Sequence, residues 1–349
     1  MQVKGAIDCD MHVSVPAMSA LLPYLDEHWR DTVVARGISS LDSVAYPPNA
    51  PISARPDWRN GGVPARNLNA VRKHLLDHFE LRLGIATCLY GVHLLFDEYL
   101  AAAFARAVNA WLAAEWLDRE PRLRASLVVP LQDPEQAAAE IEHWAHDRRF
   151  VQVLFPAMED VPFGKRHYWP VYQAAALHGF AIGIHAGSAY RHPPTSVGWP
   201  TWHAEDYAAQ SQAFQGQVTS LVTEGVFSKF PELKVVLMES GVSWLPAYLW
   251  RFSKFWRGIR TEVPWVDRDP AEIVREHFFL TLQPFDAPAD AAEKLIEHIG
   301  GTDRLLFSSD YPHWQFDGDE VWPAGLPAAD GVLAANALSA YPRLKEDAA

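Results

Sequence analysis

The sequence predicts a single (β/α)8 TIM barrel with loop insertions at the C-terminal face. Eight short apolar segments alternate with helical segments along the 349 residues, and this order is typical of a closed parallel barrel. The apolar fraction of 49% is sufficient for a large buried core. The one long stretch without periodicity, residues 45–67, lies too early in the chain to separate two domains. We therefore expect one domain over residues 1–349.

The strands are predicted from short apolar runs that end at polar residues, glycine or proline. These runs are residues 6–13, 85–90, 123–129, 150–155, 180–187, 233–238, 278–282 and 305–308. Both cysteines, Cys9 and Cys88, lie in such runs, which is typical of small buried side chains in a reducing compartment.

The segments between the strands have the apolar spacing of amphipathic helices. We predict helices at residues 18–34, 74–83, 98–118, 168–178, 206–226, 244–260 and 288–299, and in the C-terminal tail 330–349. A further helix opens at Asp133 and Pro134, a typical N-cap followed by proline in the first turn, and Gly179 is a typical C-cap. The insertion at 45–67 is typical of a lid, an oligomer arm or a disordered loop.

Charge and hydropathy exclude several kinds of partner. The net charge of −13 argues against a nucleic-acid-binding surface, which needs a basic patch. No apolar stretch reaches the length of about 18 residues that a membrane span requires, and the N-terminus lacks the basic and apolar regions of a secretory signal. We expect a cytoplasmic homo-oligomer, a dimer, that acts on a small molecule and contacts neither nucleic acid nor membrane.

Polar residues that can bind a metal follow several of the predicted strands. Because the C-terminal ends of barrel strands meet at one mouth, these side chains should converge there. The candidate ligands are Asp10, His12, His185, His203, Glu239 and Asp310, with His313 beside them. Each residue alone is better explained by a structural role, such as Asp310 capping a helix, but their joint placement favours a metal site. Imidazole and carboxylate together suit Zn²⁺, Mn²⁺ or Fe²⁺, and we expect one or two such ions per chain.

These segments resemble the second amidohydrolase family of the amidohydrolase superfamily, metal-dependent TIM-barrel enzymes that include the aminocarboxymuconate semialdehyde decarboxylases. The resemblance lies in IDCDMHV at the start, GIHAG around His185, EGVFSKFPELKVVLMESGVSWLP around Glu239 and LLFSSDYPHW around Asp310. It implies that Asp10, His12, His185 and Asp310 bind the metal, and that Asp310 also transfers protons.

The chain departs from the family pattern at three places. Asp10 stands where superfamily members often have histidine or glutamate. Glu239 stands where the well-studied decarboxylases have a histidine near the reacting carboxylate, which weakens a decarboxylase interpretation. No lysine follows the fourth strand, so a carbamylated lysine cannot bridge two metals, although Glu239 could.

We expect a metal-dependent hydrolase that acts on a small ring-bearing or carboxylated compound. A divalent ion lowers the pKa of bound water from about 15.7 to about 7, and Asp310, Glu239 and His313 are the expected catalytic residues. The alternatives are a dinuclear non-haem iron or iron–manganese oxygenase, a non-oxidative decarboxylase, and a barrel without activity. Trp202 and Trp314 are expected to contact the substrate, although helix packing would also account for them.

Overall fold

A computed structural model describes residues 2–44, 54–59, 65–313, 316 and 318–348. Eight parallel strands form one sheet in chain order, with helices around it, which confirms the predicted (β/α)8 barrel. The strands are β1 Ile7–His12, β2 Leu83–Thr87, β3 Leu123–Val128, β4 Phe150–Met158, β5 Ala181–Ser188, β6 Val235–Met238, β7 Phe278–Thr281 and β8 Leu305–Leu306. All of these strand residues are buried, because the sheet is enclosed on both faces.

Backbone hydrogen bonds between β1 and the segment after β8 bring the barrel close to closure. The Cys9 N–H donates to the Phe307 carbonyl at 2.9 Å, and the Asp310 N–H donates to the Asp10 carbonyl at 3.0 Å. Strand β8 therefore has only two residues, but the backbone that follows it, from Phe307 to Asp310, forms hydrogen bonds with β1. This seam carries Asp10 and Asp310 side by side.

The α-helices are α1 Glu27–Ala35, α2 Leu68–Val71, α3 Glu98–Leu112, α4 Pro134–Trp144, α5 Trp169–His178, α6 His203–Thr223, α7 Val226–Lys229, α8 Leu245–Ile259, α9 Pro270–His277, α10 Ala292–Ile299 and α11 Asn336–Ala340. Single π-helical segments extend α2 and α3, at Arg72–Leu76 and Ala113–Leu117, and a third precedes α11 at Gly331–Ala335. Short 3₁₀ turns occur at Met18–Ala20, Leu22–Tyr24, Pro56–Arg59, Val92–Leu94, Arg166–Tyr168, Arg260–Glu262 and Pro342–Ala348. The predicted caps are present, since the Asp133 side chain accepts from the Glu135 and Gln136 amides and Gly179 has φ +72°.

Two helix predictions were wrong, and one helix was missed. The predicted helix 18–34 is broken, because Leu25 is extended and the Asp26 side chain then caps a new helix at the Trp29 amide. The predicted helix 74–83 starts earlier, because Asn67 caps α2, and its second half is turn and strand. Helix α9 was missed, although Asp269 and Pro270 form a typical N-terminus.

The C-terminal tail packs against the N-terminal end of the barrel through Arg343. This guanidinium is buried and donates to the backbone carbonyls of Phe150, His178, Ala145 and Asp147 at 2.6 to 3.1 Å. It also lies 4.0 Å from the centre of the Phe180 ring. This end of the barrel is thus filled, and the polar strand ends lie at the opposite one. Among the described helices, none combines the length and apolar character needed to cross a bilayer.

Candidate metal centre at the barrel mouth

Two overlapping groups of buried side chains meet at the C-terminal end of the barrel. The first group is Asp10, His12, His185 and Asp310, and the second is His12, Glu239, Asp310 and His313. Within each group, the candidate ligand atoms all lie within 4.8 Å of one another. The structure thus brings together six of the seven residues that the sequence singled out, from β1, from β5 and from the segments after β6 and β8.

The first group is built around two histidine–carboxylate contacts. His12 Nε2 lies 3.0 Å from Asp310 Oδ1 across the seam between β1 and β8. His185 Nε2 lies 3.4 Å from Asp10 Oδ2 and 3.5 Å from Glu239 Oε2. Because His185 Nδ1 is 2.6 Å from the Ala186 carbonyl, which can only accept, the proton sits on Nδ1 and Nε2 faces the carboxylates.

The second group adds His313 beside two carboxylates. Its Nδ1 lies 3.2 Å from Asp310 Oδ1 and 3.5 Å from Glu239 Oε1. The His313 and His12 rings are stacked, with centroids 4.7 Å apart. Both imidazoles therefore contact the same oxygen of Asp310, Oδ1, and Glu239 lies between His185 and His313.

Glu239 and Asp310 both have left-handed backbone conformations. Each has φ +56°, which is uncommon for residues other than glycine and costs about 1 kcal/mol or more. Two backbone hydrogen bonds hold these conformations: the Glu239 amide donates to Thr281 Oγ1 at 3.0 Å, and the Asp310 amide donates to the Asp10 carbonyl. Strain of this kind concentrates at functional sites, where the surrounding structure maintains it.

Asp8 does not join the ligand groups, although alternation places it on the same face of β1. Its carboxyl accepts from the Ser309 amide at 3.0 Å, the Ser309 hydroxyl at 2.6 Å and the Asp10 amide at 3.2 Å. Burial raises the pKa of Asp8 to about 7, although these hydrogen bonds oppose the shift. Asp8 therefore ties together the two segments that carry Asp10 and Asp310.

Tyr207 contacts the site but was not predicted from the sequence. Its hydroxyl donates to Glu239 Oε1 at 2.8 Å from the first turns of α6. A signal was available, because Tyr207 lies one helical turn after His203, which was a candidate ligand. Because the sequence predicts that this helix begins at residue 206, the four-residue spacing between His203 and Tyr207 did not indicate a shared helical face.

Three predicted site residues lie elsewhere or are not described. His203 is the first residue of α6, is half-buried and belongs to neither ligand group; its ring centroid is 5.8 Å from that of Tyr207. Trp202 precedes α6 and is 71% exposed. Trp314 lies outside the described residues. The substrate contacts of Trp202 and Trp314 stay predictions.

The described part of the predicted insertion reaches the mouth. Ala54 forms an antiparallel bridge with His313, and the Arg55 amide donates to the Pro312 carbonyl at 3.3 Å. The Trp58 ring packs on Tyr311, with centroids 4.8 Å apart. The segment therefore covers the backbone that carries His313.

The buried carboxylates of the site favour a positive charge close to them. Burial alone would lower the pKa of His185, but Asp10 and Glu239 overcome it and raise this pKa to about 9. Burial and the neighbouring His313 instead lower the pKa of His12 to about 3, which keeps this imidazole neutral. A neutral imidazole is the form that binds metals.

Unsatisfied polar atoms test whether these residues fit a metal ion. Both Asp10 side-chain oxygens, Asp310 Oδ2 and His185 Nε2 are buried and make no hydrogen bond to any described residue. Buried carboxylates are costly unless a cation or a donor compensates them. Two imidazoles and two carboxylates are ligands that Zn²⁺, Mn²⁺ and Fe²⁺ accept. The first group therefore fits a divalent cation.

Comparison with known proteins identifies related sequences and folds. A family model described as Amidohydrolase matches residues 7–342. The gamma-resorcylate decarboxylase of Polaromonas sp. strain JS666 is 26% identical over 281 residues, covering 75% of this chain and 85% of the relative. That of Rhodococcus jostii strain RHA1 is 26% identical over 312 residues, covering 77% and 88%.

The fold also matches solved structures. A dihydroxybenzoic acid decarboxylase from Polaromonas sp. JS666, solved with manganese and the inhibitor 2-nitroresorcinol, superposes with a TM-score of 0.69. It is 23% identical and covers 97% of both chains.

These relatives correct the predicted activity. The hydrolase prediction is wrong, and so is the dinuclear oxygenase alternative, because these relatives are decarboxylases. The expectation that Glu239 at the end of β6 argues against decarboxylation is not supported by these relatives. The third alternative, a carboxy-lyase, agrees with the comparisons.

Proposed function

Because the chain belongs to the amidohydrolase family, we propose that it is a metal-dependent decarboxylase that removes CO₂ from an aromatic carboxylic acid without an oxidant. The observation that carries the proposal is the buried group of Asp10, His12, His185 and Asp310 at the mouth of this barrel. The substrate class follows from the relatives, whose names specify hydroxylated benzoates. The cytoplasmic location and the dimer stay predictions from the sequence.

Asp10, His12, His185 and Asp310 are the proposed metal ligands. A divalent ion held there would act as a Lewis acid towards the oxygens of the substrate. Manganese is the first candidate, because a decarboxylase of the same fold was crystallised with it and because mixed carboxylate and imidazole ligands suit it. Asp8 would fix the positions of Asp10 and Asp310 through its three hydrogen bonds.

The reaction requires a proton at the ring carbon that bears the carboxylate. When that carbon is protonated, the bond to the carboxylate carbon breaks, its electron pair returns to the ring, and CO₂ leaves. One proton is consumed and nothing is oxidised. Asp310 and His313 are the proposed proton-transfer pair, since His313 Nδ1 lies 3.2 Å from Asp310 Oδ1 and a proton can pass between them.

Glu239 need not exclude this chemistry. The position where well-studied decarboxylases have a histidine is occupied here by a carboxylate, but His313 Nδ1 lies 3.5 Å from Glu239 Oε1. An imidazole is therefore still present beside the residue that ends β6. We assign Glu239 the role of orienting His185 and His313.

The proposal is tested by CO₂ release from a panel of ortho-hydroxylated benzoates. Protein stripped with a chelator is reconstituted with Mn²⁺, Zn²⁺ or Fe²⁺ and assayed with and without oxygen. We expect equimolar CO₂ and decarboxylated phenol, independent of oxygen, from one of the metal-loaded forms. His185→Gln should abolish this activity.

His277→Gln is the matched control, because His277 is equally buried and its Nδ1 also bonds a backbone carbonyl, that of Leu233, but it lies in α9. This variant should keep the activity of the wild type. If the wild-type protein releases no more CO₂ than His185→Gln with every metal and substrate tested, the proposed function is refuted.

A further inference from the structure

The Tyr207–Glu239 contact gives the two oxygens of one carboxylate different surroundings. Glu239 Oε1 accepts the Tyr207 hydroxyl at 2.8 Å, whereas Oε2 faces His185 Nε2 at 3.5 Å. The backbone of Glu239 is held separately by its amide hydrogen bond to Thr281 Oγ1. The amide hydrogen bond therefore fixes the backbone of Glu239, and the Tyr207 hydroxyl contacts one of its two carboxylate oxygens.

This orientation matters because the carboxylate lies among groups that attract it and groups that repel it. Glu239 Oε2 lies 3.5 Å from His185 Nε2 and Oε1 lies 3.5 Å from His313 Nδ1, while the Asp10 carboxylate lies 3.4 Å from the same His185 nitrogen. Without the phenol, Oε1 loses its shortest contact and keeps the longer one to His313, so the carboxylate can rotate. A half-buried phenol that donates to a carboxylate is strong enough to select one rotation, because hydrogen bonds to charged groups contribute roughly 1.5–3 kcal/mol.

We propose that Tyr207 is a positioning residue of the metal centre, which holds Glu239 so that Oε2 faces His185. The inference rests on the metal centre assigned under the proposed function, but not on the reaction. The hydroxyl acts through Glu239.

The test measures metal affinity in the absence of substrate. Metal is removed from the wild-type protein and from the variants Tyr207→Phe and Tyr248→Phe. The dissociation constant of each protein for Mn²⁺ is then measured by competition with a chromophoric chelator. Tyr248 is the matched control, because its hydroxyl also makes a 2.8 Å hydrogen bond, to Thr219 of α6, but it belongs to neither ligand group. We expect Tyr207→Phe to bind Mn²⁺ about 10- to 100-fold more weakly and Tyr248→Phe to match the wild type.

A double-mutant cycle separates positioning from general damage to the fold. In a Glu239→Ala background the acceptor is gone, so adding Tyr207→Phe should weaken Mn²⁺ binding no further. Unchanged affinity in Tyr207→Phe, or the same loss in the presence and absence of Glu239, would overturn the inference. Because no step of the test uses turnover, a chain that binds Mn²⁺ but releases no CO₂ would refute the proposed function and leave this result intact.

Discussion

His93 should make the folded protein sensitive to mild acid. It lies in the 3₁₀ turn Val92–Leu94 after β2 and is 1% exposed. Burial lowers the pKa of His93 from 6.5 to about 4; nearby Arg191 adds to the shift, and the Val129 backbone opposes it. The neutral ring is thus the form that the folded protein accommodates.

The size and sign of the effect follow from linkage. Between pH 6.5 and 4 the unfolded chain binds a proton at this histidine and the folded chain does not, so the free energy of unfolding falls as the pH falls. Below the folded pKa both states are protonated and the loss stops. A difference of about 2.5 pKa units corresponds to about 3 kcal/mol.

The assay is urea unfolding of the metal-free protein at several pH values from 4 to 7. His93→Gln should lack this part of the acid destabilisation, so its stability relative to the wild type should rise by about 3 kcal/mol from pH 7 to pH 4. His167→Gln, which changes an exposed histidine, should follow the wild-type curve. Parallel curves for His93→Gln and wild type across the range would refute the reasoning.

Four further predictions concern the site and the barrel. His12→Ala and His185→Ala should each lose the metal and all activity while circular dichroism shows an intact fold; a variant that keeps both metal and activity would contradict the ligand assignment. Asp310→Asn should lose far more rate than metal content, because the amide still coordinates weakly but cannot exchange a proton, and an equal loss of both would make Asp310 a ligand only. Glu239→Gln should contain one ion per chain, like the wild type, because the two ligand groups share two residues, whereas a fall from two ions to one by elemental analysis would show a dinuclear site. Arg343→Met should lower the free energy of unfolding by roughly 3–5 kcal/mol, because four carbonyls at a buried or half-buried site lose a charged donor, while the Mn²⁺ affinity of the folded fraction stays that of the wild type.

The strands and the site could both be predicted from the same short apolar runs, which end in carboxylate or imidazole side chains. A strand buried on both faces is mostly apolar, so a carboxylate or imidazole in its C-terminal half stands out, as His185 does after Ile184. Parallel strands then bring these ends to one mouth without any further information. The convergence of Asp10, His185 and Asp310 therefore follows from topology, and distances were not needed to expect it.

Features that depend on contacts between distant segments were beyond the sequence pattern. Tyr207 meets Glu239 across 32 positions, and its spacing of one turn after His203 points to the site only if α6 is known to begin at residue 203. The predicted ligand His203 had a more suggestive residue type, but the start of α6 leaves it outside both groups. Asp8 alternates with Asp10 as a ligand would, yet Ser309 on the neighbouring segment takes its hydrogen bonds.

The charges at the mouth connect the unusual Glu239 to the proposed reaction. Three carboxylates, Asp10, Glu239 and Asp310, carry three negative charges, and one divalent ion leaves one negative charge that would repel an anionic substrate. Burial opposes protonation of His313, but Asp310 and Glu239 outweigh it and hold its pKa well above the usual range. A proton held at His313 Nδ1 lies 3.2 Å from Asp310 Oδ1, the carboxylate to which we assign proton transfer in the proposed reaction. In this arrangement the additional carboxylate at the end of β6 helps to retain the proton that decarboxylation requires.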